Sequence, residues 1–130
     1  MLAAIGHNGN VVVRVEEGAD GVFIRFEDQR MRAPSPLYWK FFRWGWAARL
    51  DRLEREYGVG RHVALAPGDL VLDIGGNIGE FAHVCARHGA SVISFEPDPA
   101  ALACYRANTA LLSHVAVEDV VIWRADEEIE

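Results

Sequence analysis

Cysteine is scarce in this sequence. Cys85 and Cys104 stand in no C-x-x-C spacing and beside no evident base, so both read as buried free thiols on helical stretches. Metal-ligand spacing is missing too: no two of His7, His62, His83, His88 and His114 are set as a zinc pair, and no metal is expected. No apolar run approaches the ~18 residues of a membrane span. The opening MLAAIGHNGN lacks the basic flank and long apolar stretch of a signal peptide. The expected compartment is the cytoplasm, with no membrane partner. Clustered positive charge is also lacking. A formal net charge of -6 and a pI near 5.3 give no electrostatic reason to bind nucleic acid.

What is present is globular composition, 130 residues that are 51% hydrophobic and 25% charged, enough for one core. The chain divides into two unlike parts, 1–66 and 67–130. In the first, VVVRVEEGADGVFIRFE sets two β-branched, aromatic-rich runs around GADG, whose glycines supply the positive φ of a hairpin turn. SPLYWKFFRWGWAARLDRLEREYG follows, with Ser35 as N-cap, Pro36 at the first helical position and Gly58 after the last turn. It predicts one long amphipathic helix with Tyr38, Phe41, Phe42, Leu50, Leu53 and Tyr57 on a stripe. Its rings Trp39, Trp44 and Trp46 either cover the edge of a core or face a substrate or a second copy. Arg43, Arg49, Arg52 and Arg55, interleaved with Asp51, Glu54 and Glu56, read as a solvated face.

The second part alternates strand and helix. DLVLDI and SVISFE are short apolar runs fit for strands buried on both faces. GEFAHVCARHG is a helix ended by Gly89, and DPAALACYRANTALL a helix with Asp98 as N-cap and Pro99 just inside. VAVEDVVIW reads as a third strand with a break near Asp119. The order β-α-β-α-β predicts an α/β fold of Rossmann-like form: a parallel sheet with right-handed crossovers and ligands at the carboxyl ends of its strands.

On that frame DIGGNIG has a mechanical reading. Gly75 and Gly76 lie where the first strand becomes the first helix, and glycine there turns the backbone sharply while leaving no Cβ toward a ligand. Gly79 lets the helix pack close to the strands. Asp73 ends the strand, and either meets the ligand or caps amides of the loop. Glu96 follows 23 residues later at the end of the second strand, where a carboxylate can accept both hydroxyls of a ribose and packs against little else. The glycine spacing selects among nucleosides. Counted from Gly75, a dinucleotide fingerprint finds asparagine at its second glycine and Glu80 at its third, and no Walker lysine is present. Glu80 also puts negative charge in the first helical turn, which disfavours phosphate.

VLDIGGNIGEF, then SFEPDPAAL, then Asn108, resembles the FkbM family of S-adenosylmethionine-dependent methyltransferases, with its acidic-x-glycine-x-asparagine-x-glycine first motif and phenylalanine-glutamate-proline second motif. The close match covers residues 67 to 112. The resemblance implies a class I methyltransferase sheet with S-adenosylmethionine as cofactor. Asp73 and the loop Gly75, Gly76, Asn77 and Gly79 would lie near the methionine part, with Glu96 on the ribose. By position the end of the third strand approaches the adenine, nominating Asp119 ahead of Glu118. Asp98 reads as a helix cap, and Asn108 as a helix-surface or helix-end residue.

Class I sheets usually have seven strands, and about three are legible here. The side of the first strand where a fourth would pair is expected to be open, a template for another chain. The chain is therefore expected to be a truncated frame, an excised piece, or a half completed by a homo-oligomer or partner chain. Two readings stand. One is a methyltransferase, or its cofactor-binding half, acting on a hydroxyl of a sugar, polyketide or similar small-molecule acceptor; the other is a non-catalytic nucleoside-binding or assembly module.

Overall fold

Alternation of apolar and polar residues extends beyond the expected hairpin. The computed structural model describes residues 2–4, as backbone, and 11–123; His7 and residues 124–130 lie outside them. Strands β1 (Leu2–Ala4), β2 (Val13–Gly18), β3 (Gly21–Phe26) and β4 (Gln29–Ala33) form an antiparallel meander in chain order. The hairpin β2–β3 turns at GADG as expected, with Gly18 opposite Gly21 and Gly21 at φ +113°. Val13, Val15, Ile24, Phe26, Met31 and Ala33 all face the core and are buried, aligned across the sheet by the pairs Val15–Ile24 and Ile24–Met31.

The single long helix expected next is three pieces: a 3-10 turn at Pro36–Tyr38, α1 (Trp39–Phe42) and α2 (Trp46–Tyr57). Gly45 breaks it at φ +90°. Glu27, in the β3–β4 turn, accepts a hydrogen bond from Trp46 N at 3.1 Å and so caps α2 from outside. A Cβ at position 45 would sit 2.5 Å from the Glu27 carboxylate, which leaves glycine as the residue that fits. The break divides the apolar stripe: Phe42, Leu50 and Leu53 are buried, while Phe41 and Tyr57 are exposed. Trp39 and Trp46 pack on the core, where Phe26 and Phe42 stack at 4.5 Å, and Trp44 lies half in solvent. Gly58 ends α2 in the left-handed region, as expected.

Beyond it come β5 (Leu70–Ile74), α3 (Glu80–Arg87), β6 (Ser91–Phe95), α4 (Pro99–Asn108) and β7 (Val115–Glu118). The strands pair in parallel in the order β5-β6-β7. The fold is thus mixed α/β with a three-stranded parallel sheet. Helices α3 and α4 cover one face, where Val71, Val92, Val115 and Val117 meet Ala82, Cys85 and Tyr105. The expectation of strands buried on both faces is corrected by β5: Leu70, Leu72 and Ile74 are each more than 60% exposed, because no described element lies over that side. The strand β7 stops at Glu118, so the anticipated break falls where the strand ends.

Helix α4 joins the two sheets. Tyr105 packs toward the parallel sheet, while Cys104, with Ile78, enters the core of the meander. Asn108 is a helix-end residue as expected, and more: its carboxamide accepts from Arg32 N at 2.7 Å and donates to Arg32 O and Ile78 O at 2.9 Å each. It extends the hydrogen bonding of β4 as a strand would. Both cysteines are free and buried, and burial pushes the Cys85 thiol up to about 11. Among the described residues no helix is long and apolar enough to cross a membrane.

Candidate functional site

The carboxyl ends of β5 and β6 are tied together by the glycine loop. Gly75 N and Gly76 N both donate to Phe95 O, at 2.9 and 3.1 Å. Gly75 holds φ +88° and a Cβ on it would meet nothing within 4 Å, so this backbone faces open space. Its neighbours are pressed inward. A Cβ on Gly76 would lie 2.8 Å from Ser94 Cβ, and one on Gly79, at φ +87°, 2.8 Å from Thr109 Cγ2. Gly79 thus serves close packing, but against α4 and its C-cap and not against the strands as expected, and the loop has one bare side. Asn77, at φ +49°, adopts the left-handed region without being glycine. Two bonds hold it there: its N–H donates to Glu96 Oε2 at 2.7 Å, and its side-chain oxygen accepts from the Tyr38 hydroxyl at 3.0 Å.

Two carboxylates flank the loop, and both are buried, Asp73 at 5% and Glu96 at 8% exposure. The Ser94 hydroxyl donates to Asp73 Oδ2 at 2.9 Å and lies 2.6 Å from the Tyr105 hydroxyl. Burial raises the Asp73 pKa, the Ser94 bond works against that, and the Glu96 charge adds to it. Burial also pushes Tyr105 up to about 12. Asp73 Oδ1 has no hydrogen-bond partner among the described residues. Glu96 was expected to pack against little; instead its Oε1 accepts from Asp98 N at 2.8 Å and its Oε2 from Asn77 N, so it joins the loop to the start of α4. Each oxygen keeps further accepting capacity.

Glu80 is not the free charge that the sequence suggested. Arg49 donates to it from Nε at 2.7 Å and from Nη2 at 2.9 Å, and both side chains are more than nine-tenths buried. The expected solvated arginine face therefore holds for Arg43, Arg52 and Arg55 and fails for Arg49. Burial works to lower the Arg49 pKa, and Glu80 more than offsets it. The pair joins α2 to α3 and borders a pocket of about 140 Å³ lined also by Glu56, Asp73, Gly75 and Asn77.

The ends of β5 and β6 thus bring Asp73, Gly75, Gly76, Asn77 and Glu96 together. Asp119 follows β7 on the same edge, next to Glu118, whose carbonyl accepts from Glu96 N at 3.0 Å; its side chain is exposed. Asp98 caps α4 by accepting from Ala100 N and Ala101 N. Sequence reading missed Ser94, Tyr105, Tyr38 and the role of Arg49. A polar Ser94 at an inward position of an apolar strand, two before Glu96, was a usable signal. The other three depend on contacts between distant parts of the chain.

Chemically the edge offers a bare loop backbone, an accepting carboxylate at Glu96, and an orphaned carboxylate oxygen at Asp73. These suit a ligand with hydroxyl donors at one end and a cationic group at the other, and the donor set fits a nucleoside carrying an amino-acid head. Among the described residues no group of three His, Cys, Asp or Glu could hold a metal ion. No protein-family model matches the chain. A stretch of 52 residues is 50% identical to the 31-O-demethyl-FK506 methyltransferase FkbM of Streptomyces tacrolimicus, covering 37% of this chain and 20% of that enzyme. Part of this chain is therefore related to a methyltransferase, over about a fifth of the relative's length.

Proposed function

We propose that residues 67–130 are the cofactor-binding part of an S-adenosylmethionine-dependent methyltransferase of FkbM type, with a class I sheet, preceded by a structural unit over 1–66. The observation that carries this is the bare left-handed Gly75 between two buried carboxylates, Asp73 and Glu96. Gly75, Gly76 and Asn77 would hold the cofactor's middle, Glu96 its ribose hydroxyls, Asp73 its cationic end, and Asp119 the edge of its base. Gly79 contributes by seating α3 against α4. The cofactor supplies an electrophilic methyl group on a sulfonium; the chain's own groups position it and hold water away, and positioning within ~3–3.5 Å dominates such transfers. The matched relative's name, with its O-demethyl substrate, supports a hydroxyl of a small molecule as acceptor. The cytoplasm is the proposed compartment.

Calorimetric titration tests this. S-adenosylhomocysteine is expected to bind and NAD to bind weakly or not at all; tight NAD binding with no response to S-adenosylhomocysteine would overturn it. One observation favours a second reading, an assembly module completed by a second copy or a partner chain: Leu70, Leu72 and Ile74 line an apolar groove of about 590 Å³. Sedimentation that stays monomeric at high concentration would remove the homo-oligomeric form of it.

A further inference from the structure

The Arg49–Glu80 pair uses only one edge of the guanidinium. Nε and Nη2 are spent on Glu80, while Nη1 has no hydrogen-bond partner among the described residues. Arg49 is 8% exposed and its guanidinium carbon lies 4.7 Å from the Phe41 ring centroid, so the side chain keeps little contact with solvent. A buried donor on a charged group without an acceptor is costly and rare, and one that lines a pocket points to a ligand. A second orphan lies in the same pocket. Asp73 is a buried side chain whose Oδ1 is unpartnered among the described residues, and both side chains border the cavity, whose lining includes Gly75, Gly76 and Asn77 of the loop.

A pocket with one free cationic donor and one free anionic acceptor matches a zwitterion. Of its other carboxylates, Glu80 is paired with Arg49 and Glu56 with Arg52, which leaves the charge of Asp73 in excess and favours a ligand of net positive charge. Its volume of about 140 Å³ is room for the small amino-acid head of such a ligand, whose nucleoside part would extend past Gly75 toward Glu96.

We infer that Arg49 binds the α-carboxylate of the cofactor's amino-acid end through Nη1, with Glu80 fixing the guanidinium in place. The inference rests on the S-adenosylmethionine reading and adds to it a binding residue from α2, outside the stretch that carries the glycine loop. Glu80 is then a positioning residue, and the ion pair between α2 and α3 is part of the ligand site as well as of the fold.

The test compares S-adenosylhomocysteine with 5′-methylthioadenosine, which keeps the nucleoside and lacks the amino-acid end. Calorimetry is run on the unaltered chain, on the double variant Arg49→Gln/Glu80→Gln, which leaves no unpaired buried charge, and on Glu80→Gln, which keeps the arginine; circular dichroism checks the fold of each. The unaltered chain should prefer S-adenosylhomocysteine, and the double variant should lose roughly tenfold or more of that preference while 5′-methylthioadenosine binds as before. Glu80→Gln should retain most of the preference. Equal losses for both compounds, or an undiminished preference in the double variant, would overturn the role of Arg49 alone. Binding of neither compound by the unaltered chain would overturn the cofactor reading and this inference with it.

Discussion

The two sheets solve burial differently. The antiparallel meander turns one face inward onto a core that α1, α2 and α4 help to close, with Phe26 of β3 and Phe42 of α1 stacked inside it. The parallel sheet has helices on one side and Leu70, Leu72 and Ile74 bare on the other, yet its carboxyl edge is dense with hydrogen bonds. Core packing dominates in the first, and polar organisation of an edge in the second. Among the described residues the loop edge is firmly bonded and the apolar face of β5 is exposed.

The sharpest way to break this contrast is a pair of truncations. Phe26→Ala should cost about 3–5 kcal/mol in chemical denaturation, because it removes a fully buried ring. Leu72→Ala on the bare face should stay within about 0.5 kcal/mol, as for an exposed site. A large loss at Leu72 would mean that something covers that face in solution.

Next in size is the joint between the sheets. Asn108→Ala removes three hydrogen bonds, at roughly 1 kcal/mol each, and should cost about 2–3 kcal/mol in the same assay. If the cost is negligible, Asn108 is only the end of α4. Gly45→Ala should follow at about 1–2 kcal/mol, since it forces a side chain into the left-handed region toward Glu27; a stabilised variant would contradict the account of the helix break.

The smallest effect concerns pH at the edge. Burial raises the Asp73 pKa above its ordinary value of 3.8. The folded chain therefore holds this proton more tightly than the unfolded one, and stability is lost as pH rises from 3.8 through the folded pKa. Asp73→Asn should raise Tm at pH 7, and the gain should shrink as the pH is lowered toward 3.8. A lower Tm at pH 7 would show that the carboxylate is stabilising where it lies.

Legibility in the sequence follows the range of the interactions. DLVLDI, SVISFE, GADG, Asp98 and Gly58 were read correctly as to element because strand periodicity, turn glycines and caps act within a few residues. The break at Gly45 was missed because its cause, Glu27, lies eighteen positions away. Arg49 was misread for a like reason, its partner being thirty-one positions on. The loop Gly75–Gly79 was read correctly as the turn from β5 to α3, but the structural role of Glu96, holding Asn77 N and Asp98 N, shows only in three dimensions.

That structural role shapes the decisive measurement, because an alanine at position 96 would disturb the loop as well as any ligand. Binding of S-adenosylhomocysteine and of its 2′-deoxy analogue should be measured by calorimetry on the unaltered chain and on Glu96→Gln, which keeps the shape and one acceptor. If Glu96 meets the ribose, loss of the 2′-hydroxyl weakens binding to the unaltered chain by about 1.5–3 kcal/mol and to the variant by clearly less. Equal losses in both proteins would mean that Glu96 serves the loop alone, and the cofactor site at this edge would be contradicted.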